Sequence, residues 1–210
     1  MTIRRLAGGA GALLALALAL GGCGVLGGGG GGAAPEEPDP SAPGAIKAAD
    51  LNYKQTDPGL DVDISVQKIG EFQPAMPTTP TDPGGTYIRM IGVRIASDVT
   101  HSPYIGVTPY PAAFALIAAD NQRAECQELN TKGPNATQSA AILAAIGGDK
   151  MYDHVGGGDK PEGWMICLTS RSSDASFNQP GIVLKYARAA AIDSKGGNVP
   201  LFTFTVPIGA

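Results

Sequence analysis

The chain has little of what most enzyme chemistry is built from. Its 210 residues include two histidines, three cysteines and one tryptophan. No zinc-ligand spacing, phosphate-cradling glycine loop or nucleophile elbow can be picked out along it. Positive charge is also scarce, with 15 Lys and Arg against 19 Asp and Glu. That balance leaves no electrostatic footprint for nucleic acid and no basic cluster for anionic headgroups. The apolar run from Leu13 to Leu20 is too short to cross a bilayer core of about 30 Å, which takes ~20 residues. Strands and helices do not alternate, which sets an α/β fold aside.

What the chain does have begins with an export signal. Arg4 and Arg5 give a positive start, the Ala/Leu run follows, and Leu20-Gly21-Gly22-Cys23 closes it as a lipobox. Residues 1–22 are therefore expected to be a lipoprotein signal peptide, with Cys23 the acylated N-terminus of the mature chain. An ordinary cleaved signal would leave Cys23 an unpaired thiol in an oxidising compartment. An uncleaved anchor would be broken by glycines. The pair Arg4-Arg5 leaves Sec and twin-arginine export both open. The leader holds two basic and no acidic residues, so the mature chain has 13 basic against 19 acidic, a net charge of −6 rather than −4. The expected location is the extracytoplasmic face of the cell membrane, held there by lipid.

Residues 23–45 read as the lipidated N-terminus and a linker. Gly27 to Gly32 is followed by a proline-rich acidic stretch that cannot bury enough apolar area to order itself. As a coil of some 20 residues it would span ~25 Å. Residues 46–210 remain for one folded domain. Cys126 and Cys167 form an even pair there, and a disulfide is expected in an oxidising location. The alternative is two unrelated buried thiols. A metal site would need further His or Cys ligands at spacing, and none is near.

Within the domain the apolar period is two. Val62, Ile64 and Val66 share a face, in a strand closed by Gly70; residues 71–85 read as a loop. Tyr87 to Ala96 changes parity at Met90/Ile91, which a β-bulge would reconcile. Further strands are expected at 112–118, 123–127, 163–169, 181–187 and 201–206, with an Asp120-Asn121 turn between the first two of these. One helix is expected, Gln138 to Ile146, stopped by Gly147 within the long connection 128–160. Six or seven short strands between Gly, Pro and Asp turns point to an all-β, antiparallel, immunoglobulin-like sandwich with one short helix in a long loop. A closed barrel is the alternative.

The unit Phe114-Ala115-Leu116-Ile117-Ala118-Ala119-Asp120-Asn121-Gln122-Arg123 and the turn into a strand at Gly158-Asp159-Lys160-Pro161-Glu162-Gly163-Trp164-Met165-Ile166-Cys167-Leu168 carry a resemblance. Both resemble the telokin-like, immunoglobulin-like domain of bacterial, often actinobacterial, secreted antigens and lipoproteins of unknown function. The resemblance covers about residues 60–206 and implies the sandwich fold. It brings no catalytic or ligand residues. Asn121 stands where that family usually has glycine, a left-handed position that asparagine tolerates.

Few residues suggest chemistry. Ser65-Val66-Gln67-Lys68 matches a Ser-x-x-Lys pattern, but on a period-two strand its serine and lysine face opposite ways, and no Ser-Asp-Asn element exists. His154 lies in a glycine- and carboxylate-rich stretch that fits no calcium loop. Trp164 reads as a core filler near the disulfide or as a stacking platform for a sugar or aromatic ligand. Asn135-Ala136-Thr137 is a glycosylation sequon with little meaning in a bacterium. The expectation is a non-catalytic binding or scaffolding module without cofactor or metal. It would meet the membrane through its lipid and a protein partner on the cell surface, and no nucleic acid. A carrier of an apolar ligand and a hydrolase using His154 are the alternatives. The 128–160 connection is expected to fold over an edge or end of the sandwich, as an interaction surface or an edge cover.

Overall fold

In the computed structural model, residues 46–74, 87–104, 107–130, 136–193 and 195–208 are described. Cys23 and the export signal, the Gly/Pro linker and the sequon's Asn135 lie outside them.

The strands are β1 (Ala49–Asp57), β2 (Val62–Pro74), β3 (Tyr87–Asp98), β4 (Phe114–Ile117), β5 (Arg123–Gln127), β6 (Glu162–Ser170), β7 (Ile182–Arg188), β8 (Ala191–Ile192), β9 (Asn198–Val199) and β10 (Phe202–Ile208). One α-helix, α1 (Ala136–Ala145), precedes β6 among the described residues. Eight strands form one sheet in the order β1-β2-β3-β6-β5-β4-β7-β10, while β8 and β9 pair as a small separate hairpin. Every ladder in the large sheet is antiparallel. The chain passes from β3 to β4 across β6 and β5, making a Greek key of β3-β6-β5-β4.

The first and last strands approach each other without a hydrogen-bonded ladder between them, so the sheet is nearly closed. Side chains bridge the seam. Tyr53 of β1 stacks on Phe204 of β10 with ring centroids 5.5 Å apart. The Arg188 guanidinium at the end of β7 holds Asp57 at the end of β1 through both oxygens, at 2.5 and 3.1 Å. Asp57 is 1% exposed. β10 tolerates Pro207 because one of its edges carries no ladder.

Alternation explains the core. Val62, Ile64, Val66, Ile91, Val93, Ile95, Met165, Cys167, Leu184 and Val206 all turn inward and are fully buried. The parity change in β3 arises because Met90 faces the outer cluster and Ile91 the core; the register shift against β6 falls just before them, between Tyr87 and Met90. Asn121, between β4 and β5, has φ 67°, the left-handed backbone its turn needs. Cys126 and Cys167 are bonded to each other. They sit opposite one another on the neighbouring strands β5 and β6, within one sheet.

The 128–160 connection differs from expectation in part. Its helix lies on a face of the sheet rather than over an edge, because the interior strand β6 is buried on both faces, while 153–160 run at the end of the sheet from which β6 starts. Met90, Ile166 and Leu168 face outward from β3 and β6, and with Leu129 they form a second apolar cluster. The helix residues Ile142 and Leu143, with Ile146 and Met151, pack onto that cluster. The chain then returns alongside β6: the Tyr152 amide donates to the Trp164 carbonyl at 2.9 Å, and the Trp164 amide to that of Lys150 at 2.8 Å. Gly163 permits this approach. A Cβ there would lie 2.4 Å from the Met151 carbonyl carbon, at a φ of 149° that favours glycine.

Trp164 is also placed differently. It lies three residues before Cys167, so a period-two strand puts the two on opposite faces. Its indole packs under the end of α1, away from the disulfide, against Gly92 and Gly148.

Candidate functional site

The antiparallel order sorts the connections to two ends. At the entry end lie the start of β1, the β4–β5 turn and the β6–β7 connection. At the far end lie the β1–β2 turn, the β3–β4 crossing, the approach to β6 and the β7–β10 connection with its β8–β9 hairpin. Four large apolar side chains are prominently exposed among the described residues: Tyr110 (57%), Val155 (80%), Ile192 (77%) and Leu201 (62%). Tyr110 is in the β3–β4 crossing, Val155 on the approach to β6, and Ile192 and Leu201 in the β7–β10 connection. All four belong to the far end.

Below those loops is a buried brace. Tyr152 has no exposed surface, and its hydroxyl donates to the Pro109 carbonyl at 3.0 Å and lies 3.2 Å from Ser97 Oγ. Burial pushes its phenol up to about 12, so it remains a neutral donor. The Thr108 hydroxyl donates to the His154 carbonyl. The Tyr110 and His154 rings are 4.4 Å apart. His154 Nδ1 lies 2.8 Å from Glu128 Oε2, near enough to pair when the ring is protonated, but off the line of a good N–H···O bond. Elsewhere on this end the Tyr104 hydroxyl reaches Asp193 at 3.5 Å, and Ser102 Oγ donates to the Leu60 carbonyl at 2.5 Å.

The residues singled out in the sequence fall apart as a catalytic group. His154 has Glu128 and Tyr110 as neighbours, and the Thr108 hydroxyl is directed to its carbonyl rather than its ring. Lys68 pairs with Asp50 at 3.4 Å, away from Ser65. Ser65 lines a charged cleft of about 440 Å³ on the outer face, with Lys54, Asp63, Asp98 and Lys160. Lys68 lines a different cleft, about 570 Å³, between the start of β1, the second half of β2 and the end of α1, where Trp164 forms part of the wall. Both clefts are open to solvent and edged by charge. Among the described residues no group of three His, Cys, Asp or Glu comes together to hold a metal ion.

Trp164 is 7% exposed and its Nε1 donates to Asp149 Oδ1 at 2.8 Å. Asp149 also accepts from Arg94, at 3.0 and 3.2 Å. The Arg94 guanidinium holds the Asp149 carboxyl far below the usual carboxylate range. Lys150 lowers Glu162, and Lys160 together with Thr100 lowers Asp98. Each of these groups is lowered on folding. Their stabilisation is therefore complete above the unfolded carboxylate range near pH ~4, and is lost as pH falls through the folded values. The melting temperature is expected to fall progressively as pH drops from about 4 toward 2. Asp149→Asn should flatten part of that fall in a pH series of thermal melts. An unchanged slope would mean that solvent already screens the pair.

No protein-family model matches the chain, and no curated protein matches it. A solved structure, that of a functionally unknown protein from Listeria monocytogenes EGD-e, is similar to it. The TM-score is 0.47 at 7% identity, over 78% of this chain and 83% of that one.

Proposed function

We propose that the chain is a lipid-anchored extracytoplasmic lipoprotein, tethered through Cys23, that presents a non-catalytic immunoglobulin-like module to a protein partner on the cell surface. The observation that carries the binding reading is the segregation of the two ends. The chain enters the folded unit at the start of β1, while the four exposed apolar side chains sit on loops at the opposite end. The tether joins the folded unit at the entry end, and those loops lie at the other end of its strands. Exposed apolar residues gathered on the loops of a rigid scaffold are what a docking surface needs.

The lipobox and the paired Cys126 and Cys167 support an oxidising location. The Greek key and the left-handed Asn121 turn favour the immunoglobulin-like, telokin-like reading over a simple up-and-down barrel, whose strands would follow chain order.

The test is site-specific photocrosslinking of the full lipidated chain in its own membrane. A photoreactive residue replaces Tyr110, Val155, Ile192 or Leu201 at the far end, or the exposed Gln122 or Ser172 at the entry end. Adducts are expected at the far end only. Adducts confined to Gln122 and Ser172, or none at any position, would contradict the proposal.

A further inference from the structure

We infer that the anchor of the binding end is the patch Tyr110–His154–Val155, and that it fits a protein partner bearing an apolar pocket ringed by Lys or Arg. This rests on the proposed binding role and narrows it to one side of the far end. Its first support is rigidity. The strand-flanking segments that carry Tyr110 and Val155 are fastened to each other by three contacts: Tyr152 Oη to the Pro109 carbonyl, Thr108 Oγ1 to the His154 carbonyl, and the Tyr110 ring against the His154 ring. Tyr152 is fixed in turn by its backbone bond to Trp164 of β6. A side chain already held in place loses little freedom on binding, and exposed tyrosine is among the residues that most often dominate an interface. Ile192 and Leu201 are held in another way, by the two-residue β8–β9 ladder and by Arg188 Nη2, which donates to the Pro200 carbonyl at 2.8 Å.

The second support is charge. Glu128 stands 2.8 Å from His154 and keeps 29% of its side chain exposed. The stretch from Asp153 to Asp159 holds two carboxylates and no lysine or arginine. The nearest basic residues in the chain are already engaged, Lys160 by Asp98 at 2.8 Å and Lys150 by Glu162 at 2.5 Å. Glu128 thus sets a partly exposed carboxylate beside the patch, and a cationic rim on the partner complements it.

The experiment uses the full lipidated chain in native membranes, with the photoreactive residue at 110 or 155 and, for comparison, at 192 or 201. Adducts at 110 and 155 should contain the same partner, and sequencing its crosslinked peptide should show Lys or Arg flanking apolar residues. Adduct yield at 155 should drop several-fold between about 50 and 500 mM salt, as screening shortens the reach of the charges. Glu128→Gln should lower it in the same direction at low salt. The salt series on the otherwise native chain stands even if Glu128→Gln perturbs folding. Adducts at 192 or 201 alone would overturn this inference and leave the far-end binding role standing. A yield at 155 indifferent to salt would also overturn it. The absence of adducts at all four positions would remove both.

Discussion

Arg89→Ala is expected to lower the stability of the domain by about 3–5 kcal/mol, because it leaves a buried carboxylate without its counter-charge. Arg89 lies near the entry end of β3 with 3% of its side chain exposed, and its Nε donates to Asp174 Oδ1 at 2.6 Å. Its other nitrogens donate to Asn178 Oδ1 at 2.9 Å and to the Asp174 carbonyl at 2.8 Å. Thr169 Oγ1 donates to the same Asp174 oxygen at 2.7 Å. One side chain thus fastens the short 3₁₀ segment Asp174–Asn178, with its buried Phe177, beneath the core. At about 2–4 °C per kcal/mol for a domain of this size, the melting temperature should fall by roughly 10 °C. Replacing both partners, Arg89→Met with Asp174→Leu, should cost clearly less than Arg89→Ala, because no charge is then left buried alone. A loss below about 1 kcal/mol for Arg89→Ala would mean that water reaches Asp174 readily.

Removing the disulfide should have a comparable effect. Cys126 and Cys167 are 41 residues apart in sequence and 2% and 0% exposed. Closing a loop of that length is worth about 4 kcal/mol in the chain-entropy account. The double variant Cys126→Ala/Cys167→Ala avoids a stray thiol, and its melting temperature should again fall by about 10 °C. The loop it releases carries α1, Tyr152 and Val155. Hydrogen exchange should therefore rise over 136–161 before it rises in β2 or β7. A shift under about 2 °C would show that the β5–β6 ladder alone restrains the loop.

How much of this was legible depends on which residues face inward. β2 and β10 were readable because Val62, Ile64 and Val66, or Phe204 and Val206, fill every inward position with an apolar side chain. β1 was not. Two of its inward positions are Gln55 and Asp57, and Asp57 is acceptable there only because Arg188, 131 residues later, meets it. No local pattern carries that information. The β8 and β9 strands are two residues each, too short for any period to show. β2 also runs past Gly70 to Pro74, since the ladder with β3 continues beyond the glycine.

The placement of α1 had a signal that period-two reasoning passed over. Trp164 to Leu168 is a continuous apolar run, and such a run marks a strand covered on both faces. The same reasoning separates Trp164 from Cys167. The far end was legible only in part, as a long connection containing His154. That Tyr110 joins His154, and that the apolar side chains share one end, follows from the strand order rather than from neighbours in sequence.

The proposed tether at Cys23 is the claim on which the location depends. It is tested most directly by the intact mass and N-terminal peptide of the protein extracted from its own membrane with detergent. The account predicts a chain that starts at Cys23 and carries acyl chains on that residue, two of which suffice for stable anchoring. Cys23→Ser protein should be released or remain as uncut precursor. A mature chain starting elsewhere, or one in which Cys23 is present as a free thiol, would contradict it.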